Sequence, residues 1–282
     1  MIRRKYSFML RCMALPVVAV LLSATLQAQD KPLPPITNLK TPDGVAFAVM
    51  GEKPAAPAPT LFVFASDTKT SLTSKDFNNV GQLLVPHGYI CVSLDVPGHG
   101  EDTRAGEPGG ISSWLTRLGK GENFVEVFTK RVSQVLDYLV AEKYTDPTRV
   151  AALGTSRGGF IALHCAIAEP RFKCVIAVAP VTRLSNLREF AGTEKNEAVQ
   201  ALTPIKFADK LAGRGVWMVM GNSDDRVGTE DCILLAGEIV KKSAGKVKPI
   251  PVELHIVGTE GHGMTPPLHA PAAPWLLEQL KK

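Results

Sequence analysis

A serine flanked by glycines is the first feature of the sequence that could perform chemistry. The motif GTSRGG at 154–159 follows an apolar run at 149–154 and precedes an apolar pattern of helical period. A serine on a sharp strand-to-helix turn needs glycines two positions before and after it, because its backbone crowds its neighbours. Such a turn raises the hydroxyl above the sheet edge and points the helix N-terminus at the same place. The motif predicts Ser156 as a nucleophile; the alternative is a glycine-rich turn with an incidental serine.

A serine hydroxyl is a weak nucleophile at neutral pH and needs a nearby base to accept its proton. His262 lies in the segment GTEGHGM, directly after the last predicted strand, where it could reach Ser156. His269 is the second candidate, in a less favourable position. His164 falls inside the apolar helix that follows the serine and is predicted to be a core residue.

The imidazole in turn needs a carboxylate that fixes its tautomer and stabilises its charged form. Two candidates, Asp224 and Asp225, follow the apolar run GVWMVMG at 215–221. Either of them could instead be a polar residue of a turn.

Short apolar runs alternate with helical patterns along the chain. The predicted strands are 60–65, 89–96, 149–154, 174–180, 215–221 and 249–258, and the predicted helices are 76–88, 124–140, 157–168, 229–242 and 275–280. Nearly continuous apolar strands alternating with helices indicate an α/β fold with a mostly parallel sheet and helices on both faces. Ligands of such sheets bind at the edge formed by the strand C-termini.

Two stretches, 101–123 and 181–212, are longer than ordinary connections between elements. Both leave from the C-terminal end of a predicted strand, so both could cover the site. Trp114 in the first stretch is a candidate for contact with the substrate, and an equally good alternative is a packing role at an exposed edge.

Three segments resemble the α/β-hydrolases, specifically the dienelactone hydrolase and prolyl oligopeptidase-like branch. They are DVPGHG at 95–100, YTDPTRVAALGTSRGG at 144–159 and GNSDDRV at 221–227, and the resemblance extends over about residues 60–280. It implies a three-layer α/β-hydrolase fold and a Ser-His-Asp hydrolase, with Asp224 as the acid. The order serine, aspartate, histidine along the chain is also that of this fold.

The resemblance also implies roles for residues near the nucleophile. Asp95 and His99 of the DVPGHG loop are expected to order the turn. Where many members have His-Gly, this chain has Ala65-Ser66, and the expected donors to the oxyanion are the backbone N–H groups of Arg157 and Ser66. The N-terminal propeller domain of a prolyl oligopeptidase is expected to be absent.

The side chain of Arg157 has two competing interpretations. It could assist the oxyanion or bind a substrate carboxylate, as a guanidinium beside the nucleophile would allow. It could instead form a structural ion pair with Glu169 or with an acid of the 101–107 loop. The glucuronoyl esterases similarly place an arginine after the nucleophile, which suggests uronate-bearing substrates.

The N-terminus has the charge and apolar pattern of a secretory signal peptide. Residues 1–28 carry four basic residues and no acid, followed by the apolar run CMALPVVAVLL at 12–22 and a cleavage position after Ala28. An uncleaved membrane anchor is the alternative. The remaining chain is predicted to comprise a lead-in with the first strands at 29–59 and a catalytic domain at 60–282.

Composition narrows the possible partners. The formal net charge of +5 falls to a near balance of 28 basic and 27 acidic residues once the first 28 residues are set aside. This argues against a nucleic-acid binder, which would concentrate basic residues on one face. Of the cysteines beyond the leader, Cys165 and Cys174 could form a disulfide after export, but buried free thiols are the preferred interpretation.

These observations together predict an exported serine hydrolase, periplasmic or secreted. The favoured activity is carboxylic ester hydrolysis by Ser156, His262 and Asp224, on a small-molecule or carbohydrate-linked ester. A peptidase acting on short peptides and a non-catalytic binding module on the same scaffold are the alternatives. No metal, organic cofactor, nucleic-acid partner or membrane span in the processed chain is expected.

Overall fold

The serine motif ends a strand in the middle of an eight-stranded sheet. In the computed structural model, which describes residues 32–263 and 265–281, the strands are β1 (Ile36–Lys40), β2 (Ala46–Met50), β3 (Ala58–Phe64), β4 (Ile90–Ser93), β5 (Thr145–Thr155), β6 (Phe172–Val178), β7 (Gly215–Gly221) and β8 (Val252–Val257). Their order across the sheet is β1-β2-β4-β3-β5-β6-β7-β8. Neighbours from β4 to β8 are parallel, whereas β2 is antiparallel to both β1 and β4. The prediction of a mostly parallel sheet is therefore confirmed.

Helices cover both faces of this sheet. They are α1 (Thr68–Thr73), α2 (Lys75–Leu84), α3 (Ser112–Gly119), α4 (Phe124–Ala141), α5 (Arg157–Ala168), α6 (Glu197–Ala201), α7 (Ala208–Leu211), α8 (Thr229–Ser243), α9 (Pro266–His269) and α10 (Ala272–Gln279). Apolar residues of α4, α5 and α8 form one core with the sheet, and those of α2 and α10 form a second. On β3, Phe62 and Phe64 enter the first core while Leu61 and Val63 enter the second, as the two-residue period of a strand requires. The result is the predicted three-layer α/β-hydrolase fold.

The long segment 101–123 is fixed to the body of the protein by buried charges. The guanidinium of Arg117 is 2% exposed and contacts Asp102 at 2.6 Å and Glu107 at 2.9 Å. Asp102 also pairs with Arg131 of α4 at 2.9 Å. Each of these groups has an oppositely charged partner. The segment can therefore be held close to the C-terminal edge of the sheet, here called the rim, without an unpaired buried charge.

The second long segment, 181–212, is attached to the beginning of α8 and to the loop that follows β7. Arg183 pairs with Asp231 at 2.8 Å. Arg226 and Glu189 form a bidentate pair, with both N–O distances at 2.8 Å. Both segments therefore lie at the C-terminal edge of the strands, as expected from the positions where they leave the sheet.

Trp114 is a core residue and not the substrate contact suggested by its sequence position. Its side chain is fully buried, its ring stacks on Phe124 with centroids 4.7 Å apart, and it lies 5.7 Å from Phe160. The indole N–H donates to the carbonyl of Pro97 at 2.7 Å. Since no part of this side chain is exposed, it offers no surface to a ligand. Trp114 therefore has a packing role, but in the core and not at an exposed edge as the alternative expected.

The predicted signal peptide at 1–28 lies outside the described residues. Within those residues, no helix combines the length and apolarity needed to cross a bilayer. Cys91, Cys165, Cys174 and Cys232 are buried free thiols, so the preferred interpretation of the cysteines is confirmed and no Cys165–Cys174 disulfide forms.

We predict that Trp114→Leu lowers the free energy of unfolding by about 2–4 kcal/mol, because it leaves a cavity and removes an indole that fills its site. The Michaelis constant for a small ester, measured well below the melting temperature, should not change. Leu83→Ala on α2, where the side chain is 45% exposed, is the matched surface control. A changed Michaelis constant with unchanged stability would contradict this assignment.

We also predict that buried His164 makes the fold sensitive to mild acid. Burial lowers the pKa of His164 to about 4, and its Nε2 lies 2.8 Å from the carbonyl oxygen of Leu202. The unfolded chain takes up this proton below about pH 6.5 while the folded state resists it, so stability falls as the pH decreases from about 6.5 to 4. The loss at pH 4.5 should be about 2–3 kcal/mol.

Urea unfolding at pH 7.5 and pH 4.5 measures this effect. His164→Gln keeps a donor for the Leu202 carbonyl but cannot titrate, so it should lose less stability between the two pH values than the native protein. His87→Gln, at an exposed histidine, is the control and should lose as much as the native protein. An equal loss in all three proteins would exclude His164 as the cause.

Candidate active site

Ser156 lies at the junction of β5 and α5 in a conformation that few residues other than glycine adopt. Its φ is 55° and its ψ is −117°. Two backbone hydrogen bonds hold it there: the Ser156 N–H donates to Val178 O at 2.8 Å, and the Val181 N–H donates to Ser156 O at 3.1 Å. The strained turn is therefore held by backbone at and just beyond the end of the neighbouring strand β6. A sharp turn between a strand and a helix is the geometry of a nucleophile elbow.

The glycines around Ser156 are required by close backbone contacts. A Cβ on Gly154 would collide with the carbonyl of Gly158, and a Cβ on Gly158 would collide with the carbonyl of Phe64 at the end of β3. A Cβ on Gly159 would lie 2.8 Å from the Cβ of Pro180. These contacts bring the first turn of α5 against both neighbouring strand ends, which confirms the physical reason for the glycine spacing.

The three predicted side chains form one hydrogen-bonded chain. His262 Nε2 lies 2.8 Å from Ser156 Oγ, and His262 Nδ1 lies 2.7 Å from Asp224 Oδ2. A carboxylate oxygen can only accept, so Nδ1–H donates to Asp224 and Nε2 is left to accept the serine proton. The arrangement can deprotonate the hydroxyl as it attacks and return the proton to a leaving group.

The loop after β7 selects between the two adjacent aspartates. Asp224 is buried, and its Oδ1 accepts the backbone N–H groups of Arg226 at 3.1 Å and Val227 at 3.2 Å. Both of its oxygens are thus used, one by the loop and one by His262. Asp225 points into solvent. Asp224, the acid implied by the family resemblance, is thus the aspartate that contacts His262 in the structure.

The other histidines are placed away from this chain of contacts. His269 is fully buried in α9 with no hydrogen-bond partner at either ring nitrogen, so it is not the base. His164 packs between Phe160 and Phe207 as a core residue, as predicted. His255 lies on β8 against Trp217.

Of the two expected oxyanion donors, one is free and one is occupied. Arg157 is the first residue of α5, where a backbone N–H has no acceptor within the helix. The N–H of Ser66 instead donates to the hydroxyl of Ser71 at 3.1 Å, and so does the N–H of Ala65 at 3.2 Å. The prediction for the Ser66 N–H is therefore wrong in this structure, because a side chain that no local pattern singled out already accepts it.

Ser66 can still contribute through its side chain. It is 8% exposed at the end of β3, the strand end that contacts Gly158, and its hydroxyl makes a long 3.5 Å contact to Asp67. A hydroxyl with so weak a partner can turn toward a stronger acceptor.

Neither structural partner expected for the Arg157 side chain is present. Glu169 pairs with Arg171, with an N–O distance of 2.6 Å. The acids of the 101–107 loop that form ion pairs do so with other arginines and with Lys120. The ion-pair interpretation of Arg157 is therefore wrong.

The loop after β4 plays the ordering role expected of it. Asp95 Oδ1 accepts the backbone N–H of Thr68 at 2.6 Å, and its Oδ2 accepts the N–H of Glu101 at 2.7 Å. His99 Nδ1 lies 3.1 Å from Pro97 O, and burial, followed by the charge of Arg157, lowers the pKa of His99. A neutral His99 therefore donates from Nδ1 to this carbonyl beside the nucleophile turn.

One curated protein resembles part of this chain in sequence. The protein YcjY of Escherichia coli (strain K12) is 29% identical over 124 residues, which are 44% of this chain and 36% of that one. The chain thus spans about a third of the length of this curated relative.

Solved structures resemble the chain at low sequence identity, which shows the fold alone. TT1662 from Thermus thermophilus has a TM-score of 0.67 at 16% identity and covers 88% of this chain and 98% of its own. An acetyl xylan esterase from Paenibacillus sp. R4 has a TM-score of 0.64 at 19% identity, over 89% of this chain and 86% of its own. The acylaminoacyl peptidase of Pyrococcus horikoshii has a TM-score of 0.64 at 14% identity, over 90% of this chain but 42% of its own.

The sequence matches the prolyl oligopeptidase family over residues 75–281, the region that carries the serine, the aspartate and the histidine. The chain therefore belongs to the prolyl oligopeptidase family, a family of serine hydrolases built on the α/β-hydrolase fold.

Proposed function

We propose that this protein is a carboxylic ester hydrolase that works through an acyl-enzyme. The observation that carries the proposal is the unbroken contact from Ser156 Oγ to His262 at 2.8 Å and from His262 to Asp224 at 2.7 Å. A hydroxyl, an imidazole and a buried carboxylate in this order provide a nucleophile, a base and a group that orients the base.

The reaction uses these groups twice. Ser156 Oγ attacks the ester carbonyl while His262 Nε2 takes its proton, and the oxyanion that forms accepts the free N–H of Arg157. His262 then protonates the departing alcohol. In the second half, His262 takes a proton from the water that attacks the acyl carbonyl. It then returns this proton to Ser156 Oγ as the bond between the acyl carbon and Oγ breaks and the acid leaves. The Ser66 hydroxyl is the second oxyanion donor in this proposal.

An ester is preferred over a peptide with a free N-terminus because of the charge near the nucleophile. A substrate ammonium group requires unpaired carboxylates. Glu189, the acid that contacts the loop of Asp224, is held by Arg226 in a bidentate pair.

Asp67, next to Ser66, has no ion-pair partner in the described part of the chain, but its Oδ1 accepts the N–H of Thr70 at 2.9 Å and caps α1. Among the described residues, the charged side chain beside Ser156 that makes neither an ion pair nor a hydrogen bond is that of Arg157, and its charge is positive. A positive charge repels an ammonium group and favours neutral or anionic substrates.

We predict that Ser156→Ala and His262→Ala each lower kcat/KM for 4-nitrophenyl acetate and butyrate by about 10⁴-fold or more, because each removes a step of proton or acyl transfer. Asp224→Asn should lose roughly 10²–10⁴-fold, because the histidine is left in the wrong tautomer. Asp225→Asn is the matched control and should stay within about two-fold of the native protein, since this side chain is exposed.

Two further measurements separate the alternatives. Faster turnover of aminoacyl 4-nitroanilides than of the esters would favour the short-peptide peptidase. A folded native protein that neither hydrolyses esters nor reacts with a fluorophosphonate at Ser156 would favour the non-catalytic binding module. Native activity in Ser156→Ala would remove Ser156 from the mechanism. Export remains a prediction from the sequence of residues 1–28.

A further inference from the structure

The guanidinium of Arg157 makes no ion pair with an acid, unlike several other arginines of the described chain. It is partly buried, its Nε is inaccessible to solvent, and this atom makes no hydrogen bond. Within the described ranges, no carboxylate lies within ion-pair distance of it. Five other arginines, by contrast, are paired with acids: Arg104, Arg117, Arg131, Arg183 and Arg226.

This unpaired charge is energetically unfavourable in the free protein. Burial and then the positive charge of Arg226 lower the pKa of Arg157, and no carboxylate offsets them. An arginine nevertheless stays protonated at neutral pH. Folding therefore retains a cation that has lost part of its hydration without gaining a counter-ion, and such a group calls for a ligand or a catalytic role.

The position of Arg157 puts that charge at the reaction centre. It is the next residue after Ser156, and it opens the helix whose N-terminus faces the nucleophile. Its charge acts on His99 in the loop after β4, while Arg226 in the loop after β7 acts on Arg157. Both loops lie at the C-terminal edge of the sheet, so the guanidinium lies on the same rim as the triad.

The charges around Arg157 indicate which charge its ligand must carry. Glu189 already neutralises Arg226 through two contacts of 2.8 Å, and His99 is neutral because its pKa is lowered. Among the residues that the structure describes, the carboxylate of Asp67 has no ion-pair partner either, but its charge acts on the pKa of His99 and not on that of Arg157. The charge left uncompensated at Arg157 is therefore that of its own guanidinium. A single carboxylate balances it and can accept two parallel N–H bonds from it.

We propose that the ester substrate of this protein bears a carboxylate group near the scissile carbonyl, and that the guanidinium of Arg157 binds it. This inference rests on the proposed ester hydrolysis, and it narrows the substrate class to acidic esters. Arg157 then has two separate roles, with its backbone N–H directed at the oxyanion and its side chain at the substrate charge.

A guanidinium beside the nucleophile could instead stabilise the oxyanion itself. The two roles differ in what they discriminate. The oxyanion develops with every ester, so an oxyanion role affects charged and neutral substrates equally. A carboxylate-binding role affects only the substrates that carry a carboxylate. It therefore changes the ratio of kcat/KM between a charged ester and its neutral counterpart.

Matched pairs of esters measure that ratio. Mono(4-nitrophenyl) glutarate and its methyl ester differ in a carboxylate on the acyl side, and 4-acetoxybenzoate and its methyl ester differ in one on the alcohol side. We expect the native protein to prefer the free acid of at least one pair by about ten-fold or more in kcat/KM. Arg157→Gln should lower this preference at least ten-fold, and Arg157→Lys should recover part of it.

Arg149→Gln is the matched control. Arg149 is also partly buried and lies on β5, but near the opposite end of the strand from Ser156. Its removal should leave the native preference. A native ratio near one in both pairs, an unchanged ratio in Arg157→Gln, or an equal loss on both members of each pair would overturn the proposal.

The anion site can be tested apart from the reaction. If the native protein hydrolyses no ester, the proposed function fails, and titration calorimetry with glutarate and 4-acetoxybenzoate still decides the site. Binding of either to Ser156→Ala that weakens at least ten-fold in Ser156→Ala/Arg157→Gln supports the carboxylate site. No binding to Ser156→Ala, or equal binding to both variants, overturns it.

Discussion

The backbone of Ser156 is held in a strained conformation, and the geometry of the rim depends on it. A residue in such a region costs on the order of 1–3 kcal/mol and persists only where its surroundings impose it. Here they do so through hydrogen bonds between Ser156 and the backbone around the end of β6, and through glycines that let α5 approach β3 and Pro180. The hydroxyl, the free N–H of Arg157 and the helix dipole consequently converge on one point.

Most of the fold and the triad could be predicted from the sequence because both depend on short-range patterns. The apolar runs of a buried parallel sheet and the three- and four-residue steps of α4 lie within windows of a few residues, and the boundaries of α4 and β7 were predicted to within one residue. The glycine pattern around Ser156 reports a steric requirement of the same local kind. His262 could be identified since few histidines follow a strand at the correct edge.

The errors concern contacts that no periodic pattern of the sequence marks, whether the partners are close along the chain or brought together by packing. The acceptor for the Ser66 N–H is the hydroxyl of Ser71, and no periodic pattern marks that residue. The burial of Trp114 depends on how the 101–123 segment folds back onto Phe124 and Phe160, which is decided by tertiary packing. Likewise, the pairing of Glu169 with Arg171 could not be distinguished in the sequence from a pairing with Arg157.

The three residues of the proposed triad follow strands that have different numbers of neighbours in the sheet. β5 and β7 each have a strand on both sides, whereas β8, which leads to His262, pairs with β7 alone. Further along the chain, α9 meets α2, with Asn79 donating to Pro266 O at 3.2 Å. The imidazole thus follows an edge strand, which has a hydrogen-bonded neighbour on one side only. Because an edge strand is held on one side only, warming should release β8 before the central strands, so that hydrolysis ceases at temperatures where those strands are still intact.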